Sequence, residues 1–315
     1  MIVLSRQEVE ELLDLDALVD ALAEAHRELS EGKASLPPRI AAFAERGGLL
    51  GAMPAYLPSA GLACKLVTLF PQNTDRHTHQ ALIGVFDPQN GSPVALMDGT
   101  HITATRTAAG SALATRLLAR DDARVLAILG TGVQARTHAH ALPRVRDFDE
   151  VRIAGRDPVR TRQLAEELGA VAVDSWAEAV RGADVVAATT HATEPVVLRE
   201  WLDPGTHVNS VGANLEGRGE VDPAVVRDAL VAVEYRTSTL APPPAGAPEF
   251  VESPPDQVVE LGELVAGTKP GRTSPEQITL YKSVGVAVQD AAAAALVLAA
   301  ARQQSAGREI ELEER

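Results

Sequence analysis

Val125-Leu126-Ala127-Ile128-Leu129-Gly130-Thr131-Gly132-Val133-Gln134-Ala135-Arg136 is an apolar run that ends in G-x-G-x-x-A. The run reads as a buried strand, and the glycines after it read as a tight turn into a helix. The first glycine permits the turn, the second lets backbone N–H groups approach a pyrophosphate, and Ala135 lets the helix pack closely on the strand. The helix N-terminus adds a partial positive charge at the same place. On this reading Gly130, Thr131, Gly132, Val133 and Gln134 cradle a dinucleotide. The plainer alternative is a strand-to-helix turn with no ligand.

About 20 residues on, a second strand-like segment, Glu150 to Ala154, leads into Gly155-Arg156-Asp157. A carboxylate here would accept the ribose hydroxyls of NAD(H), whereas a guanidinium pairs with a 2′-phosphate. Arg156, with Arg160 and Arg162 nearby, favours NADP(H). Asp157 can still meet the ribose, which keeps NAD(H) possible, and the arginines also suit a solvated helix face.

The 315 residues, 45% of them apolar, can bury a sizeable core in about two domains. Forty-three acidic against 29 basic residues give a net charge of −14, which opposes binding to nucleic acid or to an anionic membrane. The longest apolar run, Ala291 to Ala301, is too short to span a bilayer, and no basic-then-apolar leader opens the chain; the expected location is cytoplasmic. The one cysteine, Cys64, cannot form an internal disulfide, and its apolar neighbours suggest an inert, buried thiol.

Residues 6–31 carry leucines at helical spacing, with Ser5 and Glu8 placed for a capping box. From Pro37 to Leu96, short apolar runs broken by Pro, Gly and Asn read as an antiparallel or mixed sheet, with a hairpin turn at Asp87–Gly91. A helix is predicted over Thr103–Leu118. Strands then alternate with helices from Val125 through Leu230–Val233, which means a doubly wound parallel sheet. The Pro-rich stretch 241–256 reads as an exposed loop, Val258–Ala266 as helix, and Gln303–Arg315 as a frayed tail. Val286–Arg302 is too apolar for a free helix and should pack back on the first domain. The fold class is α/β, a Rossmann-type sheet (119–285) inserted in a smaller α+β domain (1–118 plus 286–315).

Several segments, in order, carry a resemblance: Pro37-Pro38-Arg39, Gly51-Ala52-Met53-Pro54-Ala55-Tyr56, Lys65-Leu66-Val67-Thr68, His79-Gln80, Leu96-Met97-Asp98-Gly99, Arg106-Thr107-Ala108-Ala109, Gly130–Ala135, Val211-Gly212-Ala213 and Lys282-Ser283-Val284-Gly285. Together they resemble the ornithine cyclodeaminase and mu-crystallin family, which includes ketimine reductases and some alanine dehydrogenases. The resemblance implies a homodimer whose first domain binds substrate and dimerises, with a cleft between the domains where nicotinamide meets substrate. It implies that Lys65, Arg39 and Arg106 hold the substrate carboxylate. Thr78, His79, Thr107, His191, Val211, Asn214, Ser283 and Val284 are then expected near the nicotinamide.

The residues themselves agree with the first of these assignments. An acidic protein that captures a carboxylate needs local cations, and guanidinium forks do this bidentately. A lysine inside an apolar strand costs several kcal/mol unless it meets an anion. Arg106 near the start of a helix would gain from the dipole it shares with an anion. Metal is not expected: His138 and His140 point apart on a helix, and His77 and His79 lack a third ligand.

Two departures narrow the chemistry. Where cyclodeaminases carry an acidic residue before the Met-Pro step this chain has Gly51, and where they carry an aspartate after the late strand it has Asn214. Asparagine cannot serve as a general base, although it can hydrogen-bond substrate. Reducing an imine already formed needs only a bound carboxylate, a hydride donor and a proton from Lys65 or water. The sequence therefore favours an NADPH-preferring reductase of small cyclic imino acids. Its rivals are a deaminating cyclodeaminase or alanine dehydrogenase, and a non-catalytic binder of NADPH and a small ligand.

Overall fold

Burial alternates along the strands of the first hundred residues and is continuous in the short strands that follow. The computed structural model, which describes residues 1–45, 47–212, 219–241, 246–250 and 258–312, divides accordingly into two compact units. These are Met1–Arg106 with Val286–Arg315, and Thr107–Gly285.

The first unit opens with β1 (Ile2–Leu4), α1 (Arg6–Leu12) and α2 (Leu15–Ser30). The Ser5–Glu8 capping box forms, Glu8 Oε2 accepting the Ser5 N–H at 2.7 Å, and Asp14 caps α2. Strands β2 (Ile40–Phe43), β3 (Leu49–Leu57), β4 (Gly61–Leu69), β5 (His79–Phe86) and β6 (Pro93–Asp98) pair antiparallel in sequence order, and β1 adds parallel to β6. One face is buried: Met53, Lys65, Ile83 and Met97 stand in register across four strands. The opposite face carries the row Ile40, Ala52, Leu66 and Leu82, of which Ile40, Leu66 and Leu82 are exposed.

Helix α3 (Gly99–Leu118) starts four residues before the predicted Thr103, where Asp98 Oδ1 accepts the His101 N–H at 2.8 Å. The boundary between the units falls inside this helix, at 106/107, rather than at its end.

The second unit contains β7 (Val125–Leu129), α4 (Val133–Ala141), β8 (Glu150–Ala154), α5 (Pro158–Leu168), β9 (Val171–Ala172), α6 (Trp176–Val180), β10 (Val185–Ala188), β11 (His207–Ser210), α7 (Pro223–Asp228), β12 (Leu230–Val233), α8 (Arg236–Thr239), β13 (Val258–Glu260), α9 (Leu261–Val265) and β14 (Thr279–Lys282). Its eight strands are all parallel, in the order β13-β12-β14-β11-β10-β7-β8-β9. Order reverses at β7, the switch point beside which such sheets bind ligands at their carboxyl edge.

Three readings of this unit need correction. Strand β14 was not expected; its buried Thr-Leu-Tyr-Lys run inserts between β11 and β12. Val258–Glu260 is an edge strand rather than helix, since the β-branched pair Val258-Val259 is buried against β12. Within 241–256, Ala247 and Phe250 are buried rather than exposed, because a short 3-10 turn, Pro248–Phe250, folds the phenyl ring into the core.

The chain then returns to the first unit as α10 (Ala287–Gln304), which packs on α2, β3, β4 and β5, and ends in β15 (Arg308–Glu309). The tail is not frayed there: β15 pairs antiparallel with β1, and Ile310 donates its N–H to Met1 O at 2.9 Å. Among the described residues no helix is long and apolar enough to cross a membrane.

Candidate functional site

Strand alternation turns Lys65 inward, into the row of Met53, Ile83 and Met97, and the lysine is 2% exposed. The anion it needs comes from α10. Lys65 Nζ lies 2.8 Å from Asp290 Oδ2, and Arg106 Nε donates to Asp290 Oδ1 at 3.1 Å. Arg106 Nη1 donates to Gln289 Oε1 at 3.0 Å. With its oxygen thus engaged, the Gln289 amide presents its NH₂ to His26 Nε2 at 3.1 Å, so that ring nitrogen is the acceptor. Arg106 sits two turns into α3 rather than near its start, so its anion affinity owes little to the helix dipole.

Burial pushes the Lys65 ammonium down to about 8; Asp290 opposes this, and the charges of Arg106 and Arg39 add to it. Arg39, half-buried in the segment before β2, thus acts on the same locus as Lys65 and Arg106. Two buried cations share one buried carboxylate, leaving a net positive charge that a substrate carboxylate would neutralise.

The dinucleotide turn lies in the second unit, at the carboxyl end of β7. Gly130 has φ +121°, and an added Cβ would meet Thr189 O at 2.9 Å, so the fold itself requires this glycine. Gly132 is different: its φ of −91° and ψ of −168° suit any residue, and an added Cβ would meet no atom of the chain within 4 Å. Gly132 also gives α4 no side-chain cap. A glycine with no internal reason, at an uncapped helix start on the switch point, fits a pyrophosphate that must come close to the backbone.

At the end of β8, Gly155 is packed so tightly that a Cβ would stand 2.6 Å from Thr131 Cγ2 and from Thr161 Oγ1. Asp157 is engaged as the cap of α5, its Oδ1 accepting from Val159 N at 2.9 Å and Arg160 N at 3.2 Å. Arg156 is exposed.

The other expected cofactor residues divide between the units. His191, Val211, Ser283 and Val284 follow β10, β11 and β14, so all of them lie at the carboxyl edge of the parallel sheet. Thr107 is buried on α3 in the same unit. Thr78 and His79 belong to the first unit, at the open end of the β4–β5 hairpin. Asn214 lies outside the described residues.

Buried carboxylates missed by sequence reading organise this edge. Glu220 accepts from Thr190 N (2.5 Å), Thr190 Oγ1 (2.8 Å), Ser210 Oγ (2.9 Å) and Gly212 N (2.7 Å). Lys282 Nζ donates to Gly212 O at 2.8 Å and pairs with Glu249 at 3.1 Å. Glu234 accepts from Ser283 Oγ (2.5 Å), Val284 N (3.1 Å) and Gly285 N (3.0 Å), which fixes the turn where the chain leaves the unit. Asp290 was also missed, although a carboxylate in an alanine-rich helix was a usable signal. Cys64 is not the buried thiol expected: alternation places it, half-buried, on the outer face of β4.

Residues 1–305 match the sequence model of the ornithine cyclodeaminase/mu-crystallin family. The mouse protein named ketimine reductase mu-crystallin is 42% identical over 263 residues, covering 82% of each chain. The solved structure of Thermococcus litoralis Δ1-pyrroline-2-carboxylate reductase, in complex with NADH and L-proline, is 35% identical with a TM-score of 0.91 and covers 98% of this chain and 100% of its own. An archaeal alanine dehydrogenase dimer with bound NAD is 33% identical, with a TM-score of 0.92 over 99% of both chains.

Proposed function

The chain belongs to the ornithine cyclodeaminase/mu-crystallin family, and from that we propose that it is an oxidoreductase of small cyclic imino acids, of the Δ1-pyrroline-2-carboxylate or Δ1-piperideine-2-carboxylate kind. The observation that carries the reading is the buried set Lys65, Arg106 and Asp290, two cations on one anion. Arg106 and Arg39 take the substrate carboxylate, and the Lys65 ammonium faces the imine nitrogen. With its pKa at about 8, Lys65 is roughly nine-tenths protonated at pH 7. It therefore holds a proton that it can release to the nitrogen, which makes the adjacent carbon electrophilic. Gly130–Gln134 would hold the pyrophosphate of a nicotinamide dinucleotide, which when bound would supply the hydride for that carbon. Lys65 is left neutral and regains its proton from solvent.

NADPH is the preferred cofactor in this reading. The support is local: the one carboxylate of Gly155-Arg156-Asp157 is committed to capping α5, while Arg156 is exposed and suits a 2′-phosphate. The reading includes a cytoplasmic homodimer, formed through the outer face of β2–β5, where exposed Ile40, Leu66 and Leu82 line up across the sheet.

The test is NADPH oxidation by the purified protein with each of the two imines, beside NAD-dependent ammonia release from ornithine and alanine. Imine turnover without ammonia release is expected. Ammonia release would move the protein to the deaminating branch despite Asn214, and silence in both assays would leave the non-catalytic binder.

A further inference from the structure

We propose that Asp290 is the positioning residue of the carboxylate site: its two oxygens hold the Lys65 ammonium and the Arg106 guanidinium side by side, and so fix where the substrate's nitrogen and carboxylate must lie. This rests on the reductase reading for its substrate and on the first unit's own geometry for everything else.

Asp290 Oδ2 meets Lys65 Nζ at 2.8 Å and Oδ1 meets Arg106 Nε at 3.1 Å, so one planar group sets the spacing of the two cations. Gln289, one residue earlier, takes Arg106 Nη1 at 3.0 Å. Consecutive residues of α10 thus hold the guanidinium at two of its three nitrogens and stop it turning. Arg106 Nη2 hydrogen-bonds to nothing among the described residues and is left for a carboxylate. Asp290 stands in the first turn of α10.

The charges give the same answer. Without Asp290, Lys65 and Arg106 would face each other buried and uncompensated, and Lys65 would give up its proton to escape. With a second carboxylate the site would be neutral and would hold no attraction for a substrate anion. One carboxylate against two cations keeps Lys65 charged and leaves one positive charge to be matched.

Asp290→Asn is the test, since it keeps the shape and an acceptor oxygen while removing the charge. We expect kcat for imine reduction to fall about 100-fold, the size of effect that follows misplacement of reacting groups by about 1 Å. NADPH affinity, read by fluorescence, should stay within about twofold, because the dinucleotide turn Gly130–Gln134 lies in the other unit. The alkaline limb of kcat/KM should move to lower pH by at least about one unit, because Lys65 then faces only Arg106 and Arg39 among its charged neighbours. Asp290→Glu should restore the limb but not kcat.

An Asn variant with near-normal kcat, or with an unmoved limb, overturns the proposal. If that variant does not fold, Gln289→Leu serves instead: it frees only Arg106 Nη1, so KM for the imine should rise with the limb unchanged, and an unchanged KM overturns the proposal. A third readout needs no turnover: the Lys65 titration, followed by NMR of labelled lysine in the wild type and the Asn variant. If the wild type reduces neither imine, the reductase reading has failed, and the positioning role of Asp290 is then decided by whether its loss lowers the Lys65 pKa.

Discussion

Replacing Lys65 by Met should inactivate the protein and make it more stable. A lysine whose pKa has fallen from 10.5 to about 8 on folding carries its proton at pH 7 at a cost of about 3 kcal/mol relative to the unfolded chain. Removing one partner of a buried ion pair ordinarily destabilises, because the other charge is left alone. Here it is not left alone: Asp290 keeps Arg106, and the two make a matched pair. Methionine also fills much the same space beside Met53 and Ile83.

The sign with pH follows from linkage. Between pH 8 and 10.5 the unfolded chain binds the Lys65 proton and the folded chain does not, so wild-type stability rises with pH across that window. The advantage of Lys65→Met should therefore shrink from about 3 kcal/mol at pH 7 to about 1 kcal/mol at pH 10. Urea unfolding of both proteins at the two pH values measures it. A variant less stable than wild type at pH 7, or an advantage that does not change with pH, would refute the charge arithmetic.

Gly132→Ala should leave urea stability within about 0.5 kcal/mol, since the new Cβ touches nothing in the chain, while weakening NADPH binding by about tenfold or more. Gly130→Ala should instead cost about 2 kcal/mol or more of stability, from its positive φ and the contact with Thr189 O. Arg156→Asp should shift the ratio of kcat/KM values from NADPH towards NADH, and an unaltered ratio removes Arg156 from the 2′-phosphate. Leu66→Glu, which sets a charge in the middle of the exposed apolar row, should turn a dimer into monomers by sedimentation; an unchanged mass would place the dimer contact elsewhere.

The parallel sheet was legible because each strand is a short apolar run, and one run ends in a turn whose first residue, Gly130, has a positive φ. Lys65 was legible as a conflict, a charge in an apolar strand, and such conflicts mark sites. That Asp290 is its partner was not, because the two are distant in sequence and pairing across that distance leaves no local pattern. The same holds for Glu220 and Glu234, whose donors are mostly backbone N–H and hydroxyl groups brought in by other strands. Strand β14 was hidden because a four-residue buried run bounded by Gly and Pro segments has no period to read.

The separation between Arg106 and Asp290 is 184 residues, and His26 waits 263 residues for Gln289. At about 5–20 residues per second, a ribosome that has made Arg106 needs roughly 10 to 40 s more to make its counter-ion. During that interval the six strands β1–β6 of the N-terminal sheet lack both the helix that covers their inner face and the anion that reconciles the two cations. The intervening stretch, Thr107–Gly285, holds all eight of its strands, so that sheet is complete in sequence before the first unit is. Synthesis thus completes the parallel-sheet unit first and the Lys65–Arg106–Asp290 set last, and a transcript broken before codon 290 would yield the two cations without their anion.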